Sequence, residues 1–302
     1  MADSGQAARR ALSAPDVVAR KGAGAPLVMV TAYDAPSARA VDAAGVDMIL
    51  VGDSVAMVVL GYDDTLHVTI DDMAHHTGAV ARTKPRALVV ADLPWMSYHL
   101  SRDETVANAA HLVRAGATAV KLEGGRKRVN AVNAILDAEI PVMGHIGLTP
   151  QSVHALGGFR VQGKDLEAAR AIVDDAIALA EAGCFAIVLE CVPDAVARLV
   201  TDSVGVPTIG IGAGRHCDGQ VLVYHDLLGI EERMAPKFVR RYAQLGADAA
   251  AAVARFAEDV RAGRFPSSDE TYHAADTVSD ALAAVGDRAR DRDSNAGASA
   301  PA

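Results

Sequence analysis

Four short, mostly apolar runs in this sequence share one feature: a carboxylate follows each of them directly. The runs are Met48–Gly52 before Asp53, Ala87–Ala91 before Asp92, Thr118–Leu122 before Glu123, and Ala186–Leu189 before Glu190. Strands that are apolar along most of their length are typical of parallel sheets buried on both faces. We therefore predict that these acids lie at the carboxyl ends of parallel strands, the edge where such sheets bind ligands.

Helices are predicted between the strands. Three helical stretches end on alanine followed by glycine, at Gly45, Gly116 and Gly183. Glycine just past a helix accepts the left-handed conformation that closes the last turn. Ser101 followed by Glu104 matches a capping-box pattern, which predicts the start of a helix. An apolar spacing through Leu166, Ala169, Val173, Ile177 and Ala180 predicts the core-facing side of a longer helix.

Eight strands are predicted in all, the last of them from the weakest pattern. They cover residues 27–32, 47–52, 87–92, 118–123, 141–144, 185–190, 206–211 and 220–223. Eight strands alternating with helices over roughly 230 residues match a (β/α)8 TIM barrel, whereas a doubly wound sheet usually has fewer strands. The predicted fold class is α/β, a single barrel with extra N- and C-terminal segments.

The two ends of the chain differ from the middle in composition. Residues 1–15 are small and polar, and we expect a flexible N-terminus there. Residues 16–265 form the predicted barrel domain together with C-terminal helices between Pro236 and Gly263. Residues 266–302 are predicted to be a mostly disordered tail with a possible short helix at 275–286, because the last stretch has almost nothing apolar to bury.

Charge and hydropathy argue against two classes of partner, nucleic acids and membranes. The 302-residue chain has a net charge of −9 and no basic stripe with interleaved aromatic residues, which argues against nucleic-acid binding. No apolar stretch reaches the roughly 18 residues of a membrane span, and the first residues lack an apolar signal core. We expect a cytoplasmic protein, with no membrane association, that acts on small molecules.

Three of the strand-end acids are candidate metal ligands. Asp53, Asp92 and Glu123 close three successive predicted strands and offer the hard oxygen atoms that suit Mg²⁺. The alternative is that each acid caps the loop or helix that follows it. Three such acids at one edge of the sheet favour the metal site.

Lys121 lies two residues before Glu123, so the alternation of a strand points both side chains to the same face. An inward lysine beside carboxylates either forms a structural ion pair or holds the carboxylate of a substrate. The second interpretation is favoured by its position beside the predicted metal ligands.

Glu190 and His145 are candidates for proton chemistry and substrate binding. A carboxylate in a partly desolvated site is a good general base, but Glu190 could equally cap a loop. His145 lies at the end of the fifth predicted strand, where it could hydrogen-bond a substrate or be structural. The connection that follows, through Gly163, is long for a barrel and typical of binding or closure.

The order and wording of six motifs resemble the ketopantoate hydroxymethyltransferase family over residues 15–265. The motifs are VGDS at 51–54, ADLP at 91–94, KLEGG at 121–125, GHIGLTPQS at 144–152, VLECVP at 188–193 and IGIGAG at 209–214. Six motifs in the family's order are much more specific than any one of them. The tail beyond about residue 268 has no clear counterpart in the family.

The resemblance implies a (β/α)8 barrel that transfers a one-carbon unit from 5,10-methylenetetrahydrofolate to 3-methyl-2-oxobutanoate, the first step of pantothenate synthesis, through a Mg²⁺-stabilised enolate. It also implies a homo-oligomer, a decamer. By this similarity the Mg²⁺ site consists of Asp53, Asp92 and Glu123; the 2-oxo acid contacts Asp53, Ser54, Asp92, Lys121 and His145; and Glu190 is the proton acceptor.

The sequence leaves two alternatives, another kind of barrel enzyme and a protein without catalytic activity. Barrel enzymes of the phosphoenolpyruvate mutase and isocitrate lyase kind also act on Mg²⁺-bound 2-oxo acids, but they typically carry a Lys-Lys-Cys-Gly loop, which this sequence lacks. A non-catalytic binding protein on a barrel scaffold is the other alternative, and the complete set of acids argues against it.

Overall fold

The strands of the protein form one parallel β-sheet. The computed structural model describes residues 10–231, 236–282 and 285. The strands are Leu27–Thr31 (β1), Met48–Val51 (β2), Leu88–Asp92 (β3), Ala119–Glu123 (β4), Val142–Gly147 (β5), Ala186–Glu190 (β6), Thr208–Ile211 (β7) and Gly219–Leu222 (β8). Each strand pairs in parallel with the next, and β8 pairs with β1, so the sheet closes into a barrel. The predicted (β/α)8 fold is confirmed.

Helices precede, connect and follow the strands along the chain. They are Ala14–Val18 (α1), Ala35–Ala43 (α2), Val55–Val58 (α3), Ile70–Ala81 (α4), Arg102–Ala115 (α5), Val129–Asp137 (α6), Val153–Leu156 (α7), Leu166–Ala182 (α8), Asp194–Ser203 (α9), Tyr224–Leu227 (α10) and Leu245–Arg261 (α11). Short 3-10 turns cover Arg126–Arg128 and Pro150–Ser152. Among the described residues, no helix is long and apolar enough to cross a membrane.

Local signals place the helix ends where the sequence predicts them. Ser101 Oγ accepts the backbone N–H of Glu104 at 3.1 Å at the start of α5. Gly116 and Gly183, with φ of 116° and 104°, close α5 and α8. These residues satisfy backbone groups that a helix end leaves unpaired.

The core-facing side of α8 differs from the predicted one. Leu166 is 67% exposed, while the buried residues are Ile172, Ala176 and Leu179. Val173 and Ile177 are half-buried at the edge of this face. The predicted spacing therefore follows one flank of the buried face, because a helix on a barrel buries a stripe about 100° wide and its edges are apolar as well.

Alternation along the strands divides the buried residues into two layers. The layer between strands and helices includes Ile49, Val89, Val120 and Ile187. The layer inside the barrel contains the alternate residues of each strand and two residues of α1, among them Met29, Met48, Leu88, Met143, Ala186, Ala14 and Val17. The inner layer is apolar at the N-terminal end of the barrel and becomes polar toward the carboxyl ends of the strands, where the predicted site residues lie.

The chain divides into two compact units, Met1–Gly246 and Ala247–Ala302. In the second unit, α11 continues to Arg261 and residues 276–282 are helical, within the short helix predicted at 275–286. Ala14 and Pro15, in the segment predicted to be flexible, belong to α1. The rest of that segment up to residue 9, and residues 283–284 and 286–302 of the predicted tail, lie outside the described residues.

Candidate active site

Strand alternation brings the predicted site residues to one end of the barrel interior. The register pairs Asp92 with Lys121, Glu123 with His145, and Gly147 with Glu190. Side chains two residues apart on a strand share a face, so Lys121 and Glu123 both point into the barrel, as predicted. His145 lies within β5, not at its end as predicted, because β5 continues to Gly147.

Two aspartates from neighbouring strands form the centre of the site. The backbone N–H of Asp53 donates to Asp92 Oδ2 at 3.0 Å, and Lys121 Nζ lies 2.7 Å from Asp92 Oδ1. The two aspartates and Glu123 are at most 5% exposed. The carboxylates of three successive strand ends are therefore buried together, which confirms the geometric part of the sequence prediction.

The electrostatics of this centre are unbalanced. Burial, followed by the charges of Asp92 and Glu123, raises the pKa of Asp53 well above its usual value. Burial also raises the pKa of Asp92, although the nearby Lys121 ammonium opposes that shift. Burial alone would lower the pKa of Lys121, but Asp92, Glu123 and Asp53 outweigh it and raise that pKa. Three carboxyl groups of this centre therefore surround a single ammonium group.

This donor set fits a hydrated Mg²⁺ ion. Among the described residues, no three His, Cys, Asp or Glu side chains stand close enough together to hold a metal ion by themselves. Mg²⁺ is typically held by one or two carboxylates and keeps several waters or substrate oxygens. Asp53 and Asp92 provide such a pair, and a divalent cation between them would favour the ionised form of both carboxylates, against the burial that raises their pKa values.

A line of polar groups connects Lys121 to Glu190 through His145. His145 Nδ1 lies 3.4 Å from Lys121 Nζ and 3.3 Å from Glu123 Oε1, and Nε2 lies 3.2 Å from Glu190 Oε2. Burial and the Lys121 charge oppose protonation of the imidazole, but Glu123 and Glu190 outweigh them and raise the pKa of His145 to about 9. At neutral pH the ring is therefore a cation between two carboxylates.

Ser54 joins the site from the start of α3. Its Oγ lies 2.8 Å from the hydroxyl of Tyr33, with which it shares a hydrogen bond. From the residues alone, Ser54 reads as an ordinary cap or loop residue. In the structure it borders the same cavity as the carboxylates.

Two buried polar residues of the site are absent from the sequence prediction. Gln151 Nε2 donates to Asp53 Oδ2 at 2.8 Å, and the Tyr98 hydroxyl donates to Gln151 Oε1 at 2.6 Å. Gln151 stands in the GHIGLTPQS motif, which is the signal that could have identified it. Tyr98 lies in the connection that follows β3 and belongs to none of the six motifs. Its place at the site is therefore apparent from the structure and not from the sequence.

A single cavity of about 680 Å³ collects these groups. It is bordered by all of the predicted site residues: Asp53, Ser54, Asp92, Lys121, Glu123, His145 and Glu190. Aromatic and basic side chains, including Tyr62, Phe159, Arg160, Lys237 and Phe238, form other parts of its wall. Convergent polar groups at one place and apolar walls elsewhere are typical of small-molecule sites.

Comparison with known proteins identifies the family. A family-wide sequence profile described as ketopantoate hydroxymethyltransferase matches residues 11–268. The chain belongs to the ketopantoate hydroxymethyltransferase family. The match covers the barrel, every predicted site residue and the connections between them.

Similar proteins of this family come from several organisms. The chain is 56% identical over 255 residues to the 3-methyl-2-oxobutanoate hydroxymethyltransferase of Syntrophomonas wolfei, covering 84% of this chain and 92% of that protein. It is 55% identical over 267 residues to the protein of the same name from Moorella thermoacetica, covering 88% and 99%. A Pyrobaculum islandicum relative, also of that name, is 57% identical over 249 residues, covering 82% and 95%.

Solved structures with the same fold belong to more distant enzymes. A phosphonopyruvate hydrolase superposes with a TM-score of 0.56 at 15% identity, covering 92% of this chain and 98% of that one. A 2,3-dimethylmalate lyase, a member of the PEP mutase/isocitrate lyase superfamily, superposes with a TM-score of 0.54 at 18% identity, covering 95% and 100%. At this identity the similarity establishes the barrel fold and nothing about the reaction of the ketopantoate hydroxymethyltransferase family.

Proposed function

We propose that the protein transfers a hydroxymethyl group from 5,10-methylenetetrahydrofolate to 3-methyl-2-oxobutanoate, forming 2-dehydropantoate (ketopantoate), the first step of pantothenate biosynthesis. The names of relatives at 51–57% identity support the acceptor and the group transferred. The observation that carries the mechanism is the meeting of Glu190, Lys121 and three acids in one buried cavity.

The 2-oxo acid would bind between the cationic and the acidic groups. Its carboxylate matches the ammonium of Lys121 and the hydroxyl of Ser54, both of which border the cavity. Buried charge-assisted hydrogen bonds of this kind are stronger than neutral ones. Asp53, Asp92 and His145 border the same space and would contact the substrate directly or through the cation.

Asp53 and Asp92 would hold Mg²⁺, with Glu123 bound directly or through a water molecule. When bound, the cation supplies positive charge that polarises the keto group and stabilises negative charge developing on the substrate. It also offsets the surplus of negative charge among the buried acids.

Glu190 would remove the C3 proton of the substrate. Its side chain is 16% exposed and borders the cavity, so it can face both substrate and solvent. His145 Nε2 lies 3.2 Å from Glu190 Oε2 and holds the carboxylate in one position. A carboxylate held in a fixed position beside the substrate is suited to general-base catalysis.

The one-carbon donor would occupy the remaining space of the cavity. A five-carbon acid fills only a small part of about 680 Å³, and the walls include Tyr62, Phe159 and Phe238. Flat aromatic side chains suit a pterin ring. We propose small-molecule partners only, with no nucleic acid or membrane, a cytoplasmic location and a homo-oligomeric, decameric assembly.

The decisive measurement is exchange of the C3 proton of 3-methyl-2-oxobutanoate in deuterated water, with Mg²⁺ present and folate absent. Glu190→Gln keeps the size of the side chain but removes the base, so we expect exchange to slow by roughly 10²–10⁴-fold while substrate still binds. Glu181→Gln, at an exposed position on α8, is the control and should exchange at the wild-type rate. Near-wild-type exchange by Glu190→Gln would assign the base elsewhere, with His145 the next candidate.

A further inference from the structure

Gln151 directs its backbone N–H and both polar atoms of its side-chain amide at the site. It is 6% exposed, in the 3-10 turn that follows β5. Its backbone N–H donates to Glu123 Oε2 at 3.0 Å, and its side-chain Nε2 donates to Asp53 Oδ2 at 2.8 Å and to the Leu93 carbonyl at 3.0 Å. One residue therefore holds one oxygen of each of two buried carboxylates that come from different strands.

Tyr98 determines which end of the Gln151 amide faces Asp53. The Tyr98 hydroxyl accepts the backbone N–H of Glu123 at 3.2 Å and donates to Gln151 Oε1 at 2.6 Å. A flipped amide would turn Oε1 toward the Asp53 carboxylate and the Leu93 carbonyl, where three acceptors would meet without a proton. The hydroxyl therefore fixes the amide with its two donors toward Asp53 and Leu93.

These bonds leave specific carboxylate oxygens for a cation. Asp53 Oδ2 is held by Gln151, so Oδ1 is the oxygen available for a ligand. Glu123 Oε2 is held by the Gln151 backbone, which leaves Oε1 near His145. Among the described residues, Asp92 Oδ1 is buried without an aligned hydrogen-bond partner, although it lies 2.7 Å from Lys121 Nζ.

We propose that Gln151 is a positioning residue for the divalent cation: it orients Asp53 and Glu123, and Tyr98 acts through it. The inference rests on the proposed function, because the cation is part of that proposal. Partners of this kind hold metal-binding side chains in one orientation, so less of the binding free energy is spent on ordering them. A purely structural role would leave metal affinity unchanged.

The test is a calorimetric Mg²⁺ titration of the full-length protein without substrate. Gln151→Met keeps the length of the side chain but removes both donors, and we expect the Kd for Mg²⁺ to rise roughly 10–100-fold. Tyr98→Phe removes only the hydroxyl and should raise the Kd by a smaller factor. The Tyr98 hydroxyl contacts Gln151 Oε1 and the Glu123 backbone but neither carboxylate, so the double variant should bind Mg²⁺ about as weakly as Gln151→Met alone.

Controls separate positioning from folding and from the proposed function. Gln220→Met alters a glutamine whose amide donates to the Gly214 carbonyl at 3.0 Å, outside the cavity, and should bind Mg²⁺ like wild type. Asp92→Asn removes a proposed metal ligand and should lose most of its affinity for Mg²⁺. Turnover by Gln151→Met should recover with excess Mg²⁺, as expected for lost metal affinity and not for a damaged fold.

Each outcome then has one meaning. Wild-type protein that does not bind Mg²⁺ overturns the metal site of the proposed function, and this inference with it. Wild-type binding that Asp92→Asn abolishes, but that folded Gln151→Met leaves within two-fold, overturns the inference alone. If Gln151→Met does not fold, Tyr98→Phe decides: an unchanged Kd in that variant also overturns the inference.

Discussion

Lys121 carries a positive charge in the place where the proposed cation has to bind. The ammonium is 4% exposed and lies 2.7 Å from Asp92 Oδ1, so it neutralises part of the acid cluster. The same charge repels a second cation at short range. Lys121 therefore has opposite effects on the two ligands, because it favours the substrate carboxylate and disfavours the metal ion.

Replacement of Lys121 by methionine should separate these effects. We expect Lys121→Met to raise the KM for 3-methyl-2-oxobutanoate roughly 10–100-fold, the size expected for the loss of a buried hydrogen bond to a charged group. Mg²⁺ affinity should be equal to or higher than that of wild type. Steady-state kinetics and metal titration measure the two quantities, and Lys164→Met, at an exposed position, is the control. Weaker metal binding by Lys121→Met would contradict this account.

The site residues that the strand pattern could predict are those on strands or directly after a strand end. Lys121 and Glu123 follow a period of two, so their common direction is a consequence of strand geometry. Gln151 and Tyr98 come from connections after β5 and β3, whose paths depend on packing against the rest of the barrel and not on a local period. The GHIGLTPQS motif is a signal for Gln151, but its contact with Tyr98 spans 53 positions of sequence and has no local pattern.

At the scale of elements, the joint between β5 and β6 determines where Glu190 lies. Gly147 pairs in register with Glu190, and the backbone N–H of Leu148 donates to the Glu190 carbonyl at 2.8 Å. Gly147 has φ of +91°, and a Cβ on it would stand 2.3 Å from that carbonyl oxygen. Only glycine fits this position without moving β6.

Gly147→Ala should therefore destabilise the fold strongly. The left-handed backbone and the clash together should lower the free energy of unfolding by about 3–5 kcal/mol, the range typical of strain at a special backbone position. Gly157→Ala is the matched control. That residue is also left-handed, with φ of +68°, but has nothing within 4 Å of a new Cβ, so it should cost only about 1 kcal/mol. Urea denaturation measures both, and equal losses would show that the clash is relieved by local movement.

The predicted strand bounds differ from the observed ones where the apolar pattern is interrupted. β5 was predicted to stop at residue 144, because Gly144, His145 and Gly147 break the apolar run, yet the ladder to β6 continues through Gly147. Strand pairing on both sides compensates for the weak β propensity of these residues. The eighth strand, predicted from the weakest pattern, forms because closure of the barrel supplies partners on both edges.

At the scale of the whole molecule, the interior of the barrel is closed at its N-terminal end by α1. Val17 is 1% exposed and belongs to the same buried cluster as Met29 and Met48. The backbone N–H of Leu12 donates to the Arg86 carbonyl just ahead of β3, which anchors this segment beside the strand starts. The opposite, polar end of the interior is thus the only open route to the inner-layer site residues within the described part of this unit.

The two ends of the chain should consequently contribute very differently to stability. Deletion of residues 1–20 removes α1 and exposes the apolar floor of the barrel, and we expect the Tm to fall by about 10 °C or more, corresponding to several kcal/mol for a domain of this size. Deletion of residues 287–302 removes a stretch whose only apolar side chains are those of alanine and one proline, so Tm and specific activity should stay near wild type. Thermal melting followed by circular dichroism, together with a turnover assay, measures both. A large loss on removing residues 287–302 would show that this stretch contributes contacts its composition does not predict, and an unchanged Tm on removing residues 1–20 would show that α1 is not needed to close the barrel.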